Sequence, residues 1–220
     1  MIKYDIIKTG SQGNAVVIND IILIDCGVSF KALKNVYRDL KIVLLTHCHN
    51  DHINKATVKK LAFERPTLRF ACCEWLVESL VECGVDKKNI DVLEIGKKHD
   101  YKLFCVKPIK LYHNVPNCGY KLYFDNEKMI YATDTNSMEG ITAKDYDLYM
   151  IEANYTEAEM AERIAKKLEL DIYPYEYEVM NNHLSKEKCD NFIYSNIGNG
   201  EYVYLHQHIE KGVEKEWKQE

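Results

Sequence analysis

Four side chains able to hold a metal fall within six positions: His47, His49, Asp51 and His52, inside LLTHCHNDH at residues 44–52. The chain has only 8 histidines in 220 residues, and neither core packing nor a solvated loop calls for three of them so close together. The motif follows an apolar run, Ile42 to Leu45, that reads as a buried strand. Residues two apart in a strand face the same way, so His47 and His49 aim at one point. If the chain then turns into a helix, Asp51 and His52 project together toward a second point nearby. Imidazole nitrogens and a carboxylate are ligand types that zinc accepts, and HxHxDH therefore suits two cations side by side. Cys48 points away from its neighbours and reads as structural.

The elements that must position these residues can be read from local patterning. Short strands with turn residues open the chain: KYDIIKTG, NAVVIND and IILIDCG, with a turn at Asn19-Asp20. SFKALKNVYRDL reads as a helix with Ser29 as its N-cap. Residues 53–64 read as a helix ending before Pro66, LRFACC as a strand, and EWLVESLVECG as a helix closed by Gly84. The middle is rich in strands, with a hairpin turn at Asp125-Asn126. His99, flanked by charge in GKKHDYK, reads as a solvated turn residue. DLYMIEANY is a buried strand, TEAEMAERIAKKLEL a helix of good propensity, HLSKEKCDNFIYSNI a helix and EYVYLHQHI a last strand. This order predicts an α/β chain built of two sheets with helices outside. One domain is expected over residues 1–210, followed by a charged tail at 211–220.

Composition narrows the function classes. Hydrophobic residues make up 46% and charged residues 29%, an ordinary globular balance with no run of about 20 apolar residues to cross a membrane. The start, MIKYDIIKTGSQGN, carries no secretory signal core, and the eight cysteines include no CxxC pair. A disulfide framework and a cysteine zinc ribbon are both disfavoured, most of the cysteines read as small buried hydrophobes, and a cytoplasmic location is expected. The net charge of −5 argues against a broad grip on long nucleic acid, which needs a Lys/Arg face. It leaves room for a small nucleotide or a strand end.

THCHNDH, residues 46–52, resembles the signature of the metallo-β-lactamase-fold hydrolase superfamily. The likeness runs from GSQGN and LIDCG near the start to VYLHQH at the end. It implies a four-layer αββα sandwich with the site at one edge of two packed sheets. It also implies a further His, a bridging Asp and a final His, each at a strand end. His113 in LYHNVPNCGYKL, Asp134 in IYATDT and His206 in VYLHQH match these in order. His208 shares a strand face with His206 and is the alternative last ligand, although His206 lies nearer the apolar run. Two divalent metal ions are implied; the ligand set favours Zn2+, and Mn2+ or Fe also suits it.

The superfamily hosts several chemistries, so its fold does not choose a substrate. IEANY (151–155) and NNHLS (181–185) resemble the Glu-Ala and His-Leu-Ser motifs of its phosphodiesterase branch, which includes tRNA 3′-end endonucleases; HNVPNCGYKL resembles that branch too. The expected activity is hydrolysis of a phosphodiester, in a nucleotide such as a cyclic nucleotide or in nucleic acid, by a hydroxide bridging two metals. Asp51 would act as ligand and proton acceptor. His183, oriented and kept charged by Glu152, would protonate the poor alkoxide leaving group. Only 21 positions separate His113 from Asp134 and 72 separate Asp134 from His206, too few for the family's tRNA-clamping arm or its exonuclease insert. Substrate contacts then fall to loops or to a second copy of the chain. Tyr173, Tyr175 and Tyr177 alternate as on an edge strand, which would serve a dimer contact or stack a base. A thioesterase or lactonase of the same fold, which needs no proton donor, is the competing activity, and a metal-stabilised binding protein without catalysis is the third.

Overall fold

A computed structural model describes residues 1–207; His208 and the tail at 211–220 lie outside the described residues. One sheet is formed by β1 (Tyr4–Lys8), β2 (Ala15–Ile18), β3 (Ile22–Ile24), β4 (Ile42–Leu45), β5 (Arg69–Cys72) and β6 (Ile90–Val92), adjacent in that order. Its first three strands pair antiparallel and the rest parallel. The second sheet runs β7 (His99–Asp100), β8 (Cys105–Leu111), β9 (Asn117–Tyr123), β10 (Lys128–Ala132), β11 (Leu148–Glu152) and β12 (Glu201–Leu205). There the pairing is antiparallel from β7 to β10, then parallel to β12.

Strands β2, β3 and β4 are apolar at every position because both of their faces are covered. Alternation sends Val16, Ile18, Ile42 and Leu44 to the space between the sheets, where they meet Tyr120, Leu122, Met129, Tyr131 and Met150. The opposite faces turn outward. Val17, Val43 and Leu45 pack under α1 (Lys55–Glu64) and α2 (Val77–Glu82). Ile130, Tyr149 and Ile151 pack under α5 (Lys186–Asn196). The result is the four-layer αββα sandwich expected. Each such side chain taken from water contributes about 1.5–3 kcal/mol, whereas the exposed ion pairs, such as Lys166–Glu162, contribute about 0–1 kcal/mol. The three apolar layers therefore hold the molecule together.

Local signals set most helix boundaries. Asn54 caps α1 by accepting from the Thr57 amide at 3.0 Å. Thr156 caps α3 (Glu157–Glu169) and Ser185 caps α5, each through its side-chain oxygen. The segment from Ser29 to Leu40 departs from its helical expectation: it holds only a 3-10 turn, Phe30–Leu33, and Ser29 makes no cap bond. The Arg65 guanidinium binds the carbonyls of Tyr37, Arg38 and Leu40, which ties the end of the segment to the C-terminus of α1. His99 is no solvated turn residue either, for it pairs in β7 and its Nε2 accepts from the Glu94 amide at 3.1 Å. Cys48 is exposed rather than packed, while six other cysteines are buried.

The topology brings one set of strand ends together. The parallel strands β3, β4, β10, β11 and β12 finish at a shared edge, where ligands bind in open α/β sheets. Asp25 follows β3, His47 follows β4, Asp134 follows β10, Glu152 ends β11 and His206 follows β12. His113 leaves β8 at the same edge.

Candidate metal centre and active site

Asp25, Asp134 and His206 each adopt the left-handed region, with φ of 59°, 58° and 51°. Asp and His tolerate this conformation better than branched residues do. At each of these positions the strand has just ended, and the turn swings a polar side chain into the interior. Strain of this kind costs about 1–3 kcal/mol per residue and concentrates at functional sites.

The motif loop is docked as tightly as its backbone allows. The Asp51 carbonyl accepts from the Asn14 amide at 2.6 Å, and Cys26 donates to the His52 carbonyl at 2.8 Å. A side chain at Gly27 would place its Cβ 1.7 Å from the Asp51 oxygen, so only glycine lets LIDCG carry the loop.

Two triads of ligand atoms result. His47 Nε2 lies 3.1 Å from His49 Nδ1, which lies 3.3 Å from His113 Nε2. In the second triad, Asp51 Oδ2 is 3.6 Å from His52 Nε2 and 3.7 Å from His206 Nε2. Asp134 stands between the triads. Its Oδ2 is 3.0 Å from His52 Nε2, and its Oδ1 is 3.5 Å from His206 Nε2 and 3.9 Å from His113 Nε2. Every ligand candidate named from the sequence within the described residues thus faces one place, and each triad forms a group able to hold a cation.

The donor atoms are pre-aimed by partners behind them. His52 Nδ1 donates to Asp25 Oδ2 at 2.7 Å, leaving Nε2 to face the cluster. The Thr46 hydroxyl donates to Asp25 at 2.9 Å and lies 3.0 Å from His47 Nδ1, which frees His47 Nε2 in the same way. His113 Nδ1 donates to the Asn182 carbonyl at 3.0 Å. His206 Nδ1 lies 3.2 Å from Glu152 Oε1. Such partners fix the tautomer that a metal requires.

The charges fit a site able to hold a cation. Burial alone would discharge His52, yet Asp134 and Asp25 raise it to about 10. His206 is likewise pushed up against its burial, chiefly by Asp134. The same histidines hold Asp134 well below the usual carboxylate range despite its burial. The carboxylates thus favour positive charge on nitrogens that would give up their protons to a metal. His206 Nε2 is buried and has no hydrogen-bond partner of good geometry among the described residues, and Asp134 Oδ2, also buried, has only the ion-pair contact with His52 Nε2 at 3.0 Å. Buried polar atoms seldom go unpaired, and these two lie where a cation would pair them.

Glu152 and His183 adjoin the cluster. His183 follows α4 (Glu176–Asn182), and its Nδ1 donates to Glu152 Oε1 at 2.6 Å. Glu152 is fully buried and also accepts from the Thr135 and Leu184 amides. Burial opposes the charge on His183, but Glu152 overcomes it and raises the imidazole above its ordinary value. His183 Nδ1 is 3.7 Å from Asp134 Oδ1, and the ring stacks on His206 with centroids 5.2 Å apart. His183, Asp134 and His206, with Ser11, Tyr175 and Glu178, line a cleft of about 360 Å³.

The tyrosines do not alternate on a strand. Pro174 opens a turn that leads into α4, the Pro174 carbonyl accepts from the Tyr177 amide, and Lys167 pairs with Glu176 at 2.8 Å. Tyr173 and Tyr177 lie edge to face at 6.3 Å on the outside, while Tyr175 reaches the cleft.

Asp25 and Thr46 were assigned no role from the sequence. The available sign was a carboxylate that ends the apolar run IILID, since a charge there demands a buried partner. Exchanging Asp25 for Asn is expected to weaken metal affinity about 10- to 100-fold. An amide turned toward His52 Nδ1 would force the ring proton onto Nε2, the atom that faces the site. Competition against a chromogenic chelator measures this, and an unchanged affinity would show that Asp25 does not set the tautomer.

Residues 21–188 match the family described as "Beta-lactamase superfamily domain". The exodeoxyribonuclease WalJ of Streptococcus pneumoniae is 27% identical over 169 residues, covering 70% of this chain and 62% of WalJ. The chain therefore spans less than two thirds of that relative. Among solved structures, the metallo-β-lactamase fold protein YhfI of Bacillus subtilis superposes with a TM-score of 0.73 at 16% identity, covering 94% of this chain and 86% of YhfI. The short form of human tRNase Z gives 0.72 at 15%, covering 95% and 93%. Both likenesses concern the fold.

Proposed function

Because the chain belongs to the β-lactamase superfamily, we propose that it is a metal-dependent phosphodiesterase acting on nucleotides or nucleic acid. The observation that carries this is the Glu152–His183 pair, 2.6 Å apart and beside the two ligand triads. A diester of an aliphatic alcohol expels an alkoxide, which leaves far more readily when a positioned acid protonates it; such help is worth about 10²–10⁴-fold. A thiolate leaves without that help. The relative named an exodeoxyribonuclease supports the same chemistry.

Two divalent ions are assigned here, zinc first among them. His47, His49 and His113 would hold one, Asp51, His52 and His206 the other, with Asp134 between. Such ions supply positive charge to the phosphoryl oxygens and acidify water at neutral pH. The protein's own groups do the remainder. Asp25 and Thr46 hold His47 and His52 in the donor tautomer. Asp51, at the cleft wall, takes up the proton released by the attacking water. His183 carries a proton toward the leaving oxygen, and Glu152 keeps that proton in place beforehand. Val179 and Tyr175 line the cleft beside these groups.

The eight cysteines are all free, which fits a reducing compartment, and we place the protein in the cytoplasm. Among the described residues no helix is long and apolar enough to cross a membrane. Residues 1–210 are taken as one domain.

Metal-loaded protein is expected to hydrolyse bis(p-nitrophenyl) phosphate, and the Asp51→Ala variant is expected to lose that activity. Cleavage of a thioester or lactone with every diester left intact would replace this function with a carboxyl-ester chemistry.

A further inference from the structure

A second cavity, of about 610 Å³, opens beside the metal cleft, and His113 and Asn114 line both. Trp75, Leu111, Tyr112 and Val115 supply apolar wall, and Asn117 and Asn136 bring amide groups to it. Sites for small organic ligands have this size and this make-up. Two buried atoms in its wall residues, Trp75 Nε1 and Asn117 Oδ1, have no hydrogen-bond partner among the described residues. One is a donor and the other an acceptor, and Asn117 itself is 2% exposed. The Asn117 amide nitrogen is already committed to the Thr133 and Asp134 carbonyls, so its oxygen is turned the other way. The exposed Lys110 holds its ammonium 5.3 Å over the Tyr112 ring.

We infer that this cavity holds one nucleoside flanking the scissile phosphodiester, with the base against Tyr112 and Trp75 and Lys110 facing the next phosphate. The inference rests on the phosphodiesterase function above and adds the direction in which the substrate leaves the metal cleft. A nucleobase offers two flat apolar faces and an edge with both donors and acceptors, which matches the walls. Charge selects this side over the other. No acidic residue lines the cavity, whereas Glu178 beside Tyr175 lines the metal cleft. A polyanion would be repelled by Glu178 and drawn toward Lys110. The tyrosines near α4 are therefore not the stacking face.

The test reads binding and turnover separately. With Trp217→Phe as background, Trp75 becomes the only tryptophan, and a stacked base quenches its fluorescence. Metal-loaded protein is titrated with the uncleavable methylphosphonate analogue of the dinucleotide dApdA. Saturable quenching is expected, weakened about tenfold by Tyr112→Ala, a loss in the range of base–aromatic stacking. In turnover, Tyr112→Ala is expected to lower kcat/KM for dApdA about tenfold more than for bis(p-nitrophenyl) phosphate, and Lys110→Ala is expected to lower it for the trinucleotide dApdApdA, which carries the next phosphate, but not for dApdA. If the simple diester is cleaved but the analogue gives no quenching, or Tyr112→Ala binds it as the parent does, the nucleoside site is overturned while the phosphodiesterase function stands. If no diester is cleaved, that function fails and quenching alone decides. A Tyr112-dependent signal keeps the nucleoside site, and its absence removes it.

Discussion

Asp134→Ala is expected to lower diester hydrolysis by about a thousandfold or more and to reduce the metal retained after dialysis. The carboxylate is buried, with one oxygen 3.0 Å from His52 Nε2 and the other 3.5 Å from His206 Nε2 and 3.9 Å from His113 Nε2. No other acidic side chain approaches both triads so closely in the distances above. A metal contributes several kilocalories per mole of charge stabilisation to a hydrolytic transition state, and about 1.4 kcal/mol is worth tenfold in rate. Loss of a carboxylate that would serve both proposed ions is therefore expected to reach a thousandfold. His52 and His206 would also lose the carboxylate that raises them, so the vacated site cannot simply refill with protons. Turnover of bis(p-nitrophenyl) phosphate and metal content by mass spectrometry are the readouts. A variant that keeps both at the parent level would show that Asp134 bridges nothing.

His183→Ala is expected to split the substrates. For a natural dinucleotide the rate should fall about 10²–10⁴-fold, the span of general acid catalysis. For bis(p-nitrophenyl) phosphate it should change little, because p-nitrophenolate leaves without a proton. Metal content should hold, since His183 belongs to neither triad. Glu152→Gln makes the contrast. Glu152 Oε1 lies 2.6 Å from His183 Nδ1 but also 3.2 Å from His206 Nδ1. It therefore contacts both the proposed acid and a proposed ligand, and its loss should slow both substrates and weaken metal binding. Equal losses on the two substrates in His183→Ala would remove His183 from the proton-donor role and leave it a structural partner of Glu152.

Much of the architecture was legible because it is written in local patterns. Apolar runs such as Ile42 to Leu45 sit between two covered faces, and that burial is visible as the lack of polar alternation. Asn19-Asp20 takes left-handed φ of 48° and 62°, as a tight hairpin favours. The capping residues Thr156 and Ser185 likewise act within three residues of themselves. Where a distant group intervened, local reading failed. Arg65 ties the carbonyls of Tyr37, Arg38 and Leu40 to the end of α1, and the turn at Pro174 leads the apparent strand of tyrosines into α4, which holds Tyr177 alone of the three.

The candidate site divides along the same line. HxHxDH is legible because four ligands in six residues need no third dimension to stand out, and a strand followed by a turn aims them in pairs. His113, Asp134 and His206 could be matched to a family pattern, but their meeting depends on strand order within two sheets. Only the tertiary structure decides that Asp25 governs the tautomers of His47 and His52 at once, or that Glu152 serves both His183 and His206. It alone opens a cavity between β8, β9 and Trp75. These relations join residues tens of positions apart, through hydrogen bonds of about 3 Å set by which strands neighbour each other. Spacing along the chain carries residue type and local direction, and it carries no record of that neighbourhood.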